Sequence, residues 1–229
     1  MTIVMYDLVG RDDRRFSPHC WRTRMALAHK GLEHEARPTR FTDIPKIEGG
    51  QVKTVPALRD GERLIVDSWA IVRHLETSYP ERPSLFGGAG GEEVTRFVQS
   101  WCAAVLHGGL IGLLVMDIWR HLVPEDQDYF RTSREKRFGR RLEEVEAGRE
   151  QRVEEFRKSL QPLRMTLKDA PFLGGEQPLY ADYLVFGGLQ WARCISPFEV
   201  LAEDDPLNAW FERCLDLHGG IGRSAAGYD

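Results

Sequence analysis

Phe16-Ser17-Pro18-His19-Cys20-Trp21-Arg22 lies between an apolar run, Ile3 to Leu8, and a helical pattern that continues to Lys30. The apolar run reads as a buried strand, while Trp21, Met25, Leu27 and Ala28 share one face of the helix. Pro18 suits the first helical turn, because the N–H it lacks has no intrahelical partner there. Ser17 therefore stands as a hydroxyl at the mouth of a helix. Free N–H groups and the positive dipole end favour an anion at such a place, and a thiolate qualifies. Gly31 closes the helix as a C-terminal cap.

Outward from this turn, Glu33 to Pro38 reads as an acidic second strand and Phe41 to Lys53 as irregular chain. Pro56 to Arg59 and Arg63 to Val66 flank Asp60-Gly61 as a hairpin. Ser68 to Tyr79 is helical, with Trp69, Ile71, Val72 and Leu75 on one face, and Pro80 stops it. This order is an α/β unit of the thioredoxin type, expected over residues 1–82, followed by a linker at 83–91 within a stretch rich in proline and glycine. Residues 92–229 read as an all-helical domain. Glu92 to Leu122 is its central helix, ended by Pro124, and Tyr129 to Leu167 is a solvated helix pair. Within that pair the charged run Arg131 to Arg164 is a solvated face or a subunit contact. Tyr180 to Cys194 is core, and Asp205 to Leu217 a last helix ended by Gly219-Gly220.

The 229 residues, 42% hydrophobic and 29% charged, suit an ordinary globular protein with a proper core. A net charge of −4 gives no electrostatic reason to expect nucleic acid. No apolar run approaches the roughly 20 residues that span a bilayer, and the N-terminus lacks a signal-peptide pattern. No membrane is expected. Cys20, Cys102, Cys194, Cys214 and the seven histidines show neither disulfide-framework nor zinc spacing. The expectation is a reducing, cytoplasmic protein without metal.

Two later features join Ser17. If Val55-Pro56 is cis, the Val55 backbone N–H and C=O are free to pair with a peptide-like ligand. Asp67-Ser68 opens a helix and serves as its cap. The same pair suits a ligand with an α-carboxylate, taken by Ser68, and an α-ammonium, taken by Asp67.

With Ser17-Pro18, Val55-Pro56 and Asp67-Ser68 in this order, the chain resembles the cytosolic glutathione transferases along essentially its whole length. It resembles more closely the bacterial β-etherases that cleave lignin aryl ethers, and the related fungal class A transferases. Trp21-Arg22-Thr23, Asp67-Ser68-Trp69-Ala70-Ile71, Ser133-Arg134-Glu135-Lys136 and Tyr180-Ala181-Asp182-Tyr183 carry that closer likeness. The resemblance implies that glutathione is the co-substrate and that Ser17 holds its sulfur as thiolate. Lowering a thiol pKa from ~8.5 to ~6.5 needs about 2.7 kcal/mol of preference for the anion. One hydrogen bond to a charged acceptor supplies roughly 1.5–3 kcal/mol, and the helix terminus about 0.3–1.

On the same resemblance, Val55, Pro56, Asp67 and Ser68 bind glutathione, and Arg40, Lys46 or Lys53 takes its glycine carboxylate. Trp21, Phe41, Trp101, His107 and Trp119 are candidates for a pocket that holds an aromatic electrophile; residues at such spacing also serve as plain core. A homodimer is implied. Leu179 stands where the family carries a polar helix cap ahead of Asp182, which puts local stability in question. Two rival readings are a ligand-binding protein that keeps the fold without catalysis, and a glutathione-dependent thiol reductase using Cys20. His19 adds charge near the sulfur or is a bystander.

Overall fold

The computed structural model describes residues 2–228. Strand β1 (Ile3–Leu8) is buried along its whole length, as its continuous apolar sequence requires of a strand covered on both faces. It pairs in parallel with β2 (His34–Thr39) and antiparallel with β3 (Ala57–Asp60), and β3 pairs antiparallel with β4 (Arg63–Val66). The sheet order is β2-β1-β3-β4. Helices α1 (Pro18–His29) and α2 (Ser68–Ser78) pack against each other, completing a thioredoxin-like βαβαββα domain. Asp60 and Arg63 are register partners, so the hairpin loop is Gly61-Glu62, one residue later than expected, with Gly61 in the left-handed region at φ 58°. Between β2 and β3 the chain makes 3₁₀ turns over Phe41–Gly50.

The rest of the described chain is helical: α3 (Gly91–Trp101), a π-helical turn (Cys102–His107), α4 (Gly108–Arg120), α5 (Pro124–Phe138), α6 (Leu142–Glu146), α7 (Arg149–Ser159), α8 (Gln161–Leu167), α9 (Tyr180–Ile195) and α10 (Leu207–Gly220). The stretch expected to form a helix pair is thus four helices. Pro124 does not merely end the preceding helix; it occupies the first turn of α5, where proline is tolerated. The last helix leaves helical geometry at Leu217, before the glycines expected to end it.

One sequence expectation needs qualifying. Gly91–Arg120 runs as a continuous 30-residue helix that is long and apolar enough to cross a bilayer. Half of its most apolar window is buried inside the protein, where Leu110, Leu113 and Leu114 face α6, α7 and α9. Its apolar character is that of a core helix, and the pair Glu92 and Glu93 opens it at the positive dipole end.

Helix α9 is buried almost throughout and packs on α1, α3, α4 and α10. Its N-terminus lacks a capping side chain at Leu179, yet it is not left unsatisfied. Fully buried Asp182 accepts from the backbone N–H groups of Leu173 (2.7 Å), Gly174 (3.0 Å) and Leu179 (3.0 Å) and from Trp210 Nε1 (3.0 Å). The absent cap at Leu179 is therefore offset by a carboxylate one turn later.

Two adjacent glycines let the domains close. A Cβ on Gly187 would meet the carbonyl oxygen of Pro18 at 2.5 Å, and one on Gly188 would meet Leu106 Cδ2 at 2.5 Å. A glycine inside a helix costs about 0.5–1 kcal/mol relative to alanine, so these positions trade helix propensity for backbone contact. Gly187→Ala should lower stability by about 2 kcal/mol, because the facing atom is backbone and cannot rotate away. Urea denaturation measures it; an unchanged or higher midpoint would show that α1 and α9 are not in forced contact.

Candidate glutathione site

Ser17 is the N-cap of α1: its Oγ accepts from Cys20 N–H at 3.3 Å, while its carbonyl accepts from Trp21 N–H. The hydroxyl hydrogen is left over from that cap. Ser17 is 5% exposed and opens onto a cleft of about 460 Å³ between the two domains. Pro18, His19, Phe41, Thr54 and Val55 line it from the first domain, and His107, Ile111, Phe130, Arg134, Arg137 and Trp191 from the second. No Asp or Glu lines this cleft among the described residues.

The Val55–Pro56 peptide bond is cis, the arrangement the sequence suggested. Pro56 O accepts from Asp67 N–H at 3.3 Å, which ties this turn to the start of α2. Asp67 caps α2 through Oδ1, accepting from Trp69 N–H (2.8 Å) and Ala70 N–H (3.1 Å), so Oδ2 remains available. Its φ of 85° is unusual for a residue with a Cβ, and such strain costs of order 1–3 kcal/mol. Ser68 is buried, with its carbonyl accepting from Tyr180 OH. Asp67 and Ser68 flank the cleft without lining it.

The three candidate cations differ. Lys46 is exposed and paired with Asp43 at 2.7 Å. Arg40 and Lys53 are exposed and adjoin Phe41 and Thr54 of the cleft wall, with no acidic partner among the described residues. Of the five aromatic candidates, Phe41 and His107 line the cleft and Trp21, Trp101 and Trp119 do not. Trp21 is core, 1% exposed, donating to Arg15 O at 2.8 Å and meeting Phe186 edge-on. Trp101 is half-buried against the core, and Trp119 lies beneath the Arg131 guanidinium at 4.9 Å.

His107 sits at the end of the π-helical turn, a distortion often found at functional sites. Its Nε2 lies 3.4 Å from Arg22 Nη2. A guanidinium only donates, so Nε2 accepts and the ring proton sits on Nδ1. Burial and the Arg22 charge push the His107 pKa down to about 3, which leaves a neutral imidazole. Arg22 itself is buried, and its Nε has no partner among the described residues. Cys20 is equally enclosed: its Sγ accepts from Leu8 N–H at 3.5 Å, and burial together with the Asp7 charge drives the thiol pKa upward. Both effects suppress the thiolate that a reductase nucleophile requires.

Arg22, Phe130, Arg134, Arg137 and Trp191 were not singled out by sequence reasoning as site residues. Phe130, Arg134 and Arg137 recur at helical spacing on one face of α5, and that spacing was the available signal. A wider depression of about 840 Å³ lies behind α1, but its Arg15 and Arg24 are both engaged by Asp7. No cluster of metal-ligating side chains occurs among the described residues.

Comparison with known proteins fixes the family. Residues 13–83 match the glutathione S-transferase N-terminal domain and residues 94–217 the C-terminal domain. This chain belongs to the glutathione S-transferase family. It is similar to glutathione S-transferase Z1 of Arabidopsis thaliana, at 44% identity over 71 residues. That match spans 28% of this chain and only 31% of the plant protein. It is also similar to the glutathione S-transferase-like protein ustS of Aspergillus flavus, 25% identical over 78% of this chain and 75% of the relative. Among solved structures, GSTFuA2 of Phanerochaete chrysosporium aligns with a TM-score of 0.77 and 25% identity, covering 96% of this chain and 93% of that one. CsGST63524 of Ceriporiopsis subvermispora, solved in complex with glutathione, gives 0.78 and 22% over 97% and 94%.

Two outcomes follow from the burial pattern of this family member. All four cysteines are unpaired and buried, so a thiol reagent should label none in the native protein and all four after unfolding. Rapid native labelling of Cys20 would contradict its enclosure. His107 resists a proton that the unfolded chain accepts below its ordinary value of 6.5, so its contribution to stability is present above that pH. It is lost as pH falls from 6.5 toward 3. The melting temperature of His107→Gln should therefore decline less steeply over this window than that of the parent, and parallel curves would refute the assignment.

Proposed function

We propose that this chain conjugates glutathione to an aromatic electrophile, with Ser17 holding the sulfur as thiolate. The observation that carries this reading is the Ser17 hydroxyl. It accepts from Cys20 N–H, keeps its own hydrogen, and opens onto a cleft lined, among the described residues, by cations and neutral groups but no carboxylate. An alcohol that already accepts one hydrogen bond is a better donor in the next. A thiolate placed there gains that bond, the α1 dipole and a local field of favourable sign.

Glutathione would extend from Ser17 along the cis Val55–Pro56 turn, pairing with the Val55 backbone. Its γ-glutamyl carboxylate meets Ser68 at the α2 terminus and its ammonium the free oxygen of Asp67. Arg40 or Lys53 takes the glycine carboxylate; Lys46 is already occupied. The electrophile rests against Phe41, Ile111, Phe130 and Trp191. Attack by sulfur on its reactive carbon forms the thioether and expels the leaving group, a phenolate in the aryl-ether version. That version, and placement with the β-etherases and fungal class A enzymes, rests on the sequence likeness described above. The buried state of Cys20 weighs against the reductase alternative.

On this reading residues 1–82 are the glutathione domain, 83–91 the linker and 92–229 the electrophile domain. Val94 and Phe97, one turn apart on α3 and 66% and 71% exposed, offer an apolar face to a second copy and favour the homodimer. Four reduced cysteines fit a cytoplasmic setting.

Ser17→Ala should reduce kcat/KM for glutathione conjugation on the order of 100-fold, as loss of one donor to a developing or resting anion does. Titration of the bound thiol by ultraviolet absorbance should move its pKa up toward that of free glutathione. Turnover and pKa both unchanged would remove Ser17 from the chemistry.

A further inference from the structure

Helix α5 carries a sequence of arginines, and some of the cations on and around it are neutralised. Arg131 is held by Glu135 and Glu143, each at 2.9 Å, and Arg149 by Asp117 and Glu146. Arg134 and Arg137, the two that line the cleft, have no acidic partner among the described residues. This occurs in a protein whose net charge is −4 and whose carboxylates outnumber its basic side chains. The cleft is a local reversal of the overall sign.

Arg134 is also built in. Its guanidinium lies over the Phe130 ring at 4.7 Å and the Phe41 ring at 5.7 Å, and Nη1 donates to Ser133 Oγ at 3.0 Å. Phe41 is fixed in turn by Phe130 and Tyr129, and by its backbone N–H donating to buried Asp126 at 3.0 Å. Ring contact occupies the faces of the guanidinium and leaves its edges, where the N–H donors are. Only one of five is used. Burial, with the Arg137 charge beside it, lowers the Arg134 pKa, so the unliganded pair is electrostatically unfavourable. The cleft therefore holds surplus donors, aromatic walls and positive charge.

We propose that the second substrate is an aromatic electrophile bearing an anionic group, a carboxylate or sulfonate on the ring, which Arg134 and Arg137 clamp while Phe41 and Phe130 hold the ring. This rests on the transferase reading above and narrows it to a substrate class. The anion partners the two guanidinium edges, and the reactive carbon is left toward Ser17, which lines the same cleft. Arg40 and Lys53, on the first domain, remain for the glycine carboxylate of glutathione.

The test compares 4-chloro-3-nitrobenzoate with its neutral isostere 4-chloro-3-nitrobenzamide. Each kcat/KM is divided by the uncatalysed rate with glutathione, since the two rings differ in intrinsic reactivity. After that correction the protein should favour the benzoate by about tenfold or more, the discrimination expected of a site left with unpaired donors by the neutral compound. The preference should shrink as salt rises, and Arg134→Gln/Arg137→Gln should bring it close to one. A corrected ratio at or below one in the parent protein overturns the proposal, and so does a preference that survives the double substitution. A loss confined to the dissociation constant for glutathione would assign the pair to the glycine carboxylate and overturns it as well. If neither compound is turned over, the transferase reading fails separately. Calorimetric binding of 3-nitrobenzoate against 3-nitrobenzamide, with S-methylglutathione present, then decides the clamp alone: tighter benzoate supports it, equal affinity refutes it.

Discussion

The near-contact between α9 and the first turn of α1 is the constraint on which the rest of this structure depends. Gly187 brings the α9 backbone against Pro18, and Gly188 admits Leu106 with His107 alongside. The first contact fixes the position of Ser17; the second fixes the end of the π-helical turn. One glycine pair thus sets both walls of the cleft. Protein interiors are as dense as organic crystals, so a shift of a few tenths of an ångström at α9 would be passed on to either wall.

That arrangement explains the electrostatic character of the site. Helix α1 presents its N-terminus to the cleft, buried Arg22 stands behind it, and His107 is kept neutral by burial and by that same guanidinium. With no carboxylate on the lining among the described residues, none of them competes there with an incoming anion for these donors. Carboxylates nearby are turned to structural work: Asp126 binds the N–H groups of Phe41 and Thr42, and Asp182 supports the start of α9. The protein can be acidic overall and still receptive to negative charge at one place.

The first domain was legible in the sequence because its signals are local. Pro18 at a helix start, Asp67 as a cap and the short apolar runs around Asp60-Gly61 each act over a few residues. The hairpin loop came out one residue late, because register is decided by pairing with β1 and not by the turn dipeptide alone. The stretch after Pro124 was read poorly. Its helices bury few apolar residues apiece, so Arg and Glu mask the period, and four short helices passed for two long ones. The site divided in the same way. Ser17, Val55 and Asp67 announce themselves through neighbours in sequence. Trp21 reads equally as pocket or core because α1 is enclosed on both sides, and periodicity does not distinguish the face toward Phe186 from the face toward the cleft. Arg134 acquires meaning only when Phe41, from another domain, covers it.

The wide turn at Cys102–His107 interrupts an otherwise continuous rod from Gly91 to Arg120. Such a turn amounts to one surplus residue accommodated within a helix. Excising a single residue there would restore ordinary winding, and because the wide turn already absorbs that residue, the helix on either side would keep the face it presents. Val94 and Phe97 would still point the same way relative to the cleft. Lineages differing by one amino acid in this short interval would consequently be expected to differ at His107 and the stretch of cleft wall it forms, while the outward face of the rod stays the same.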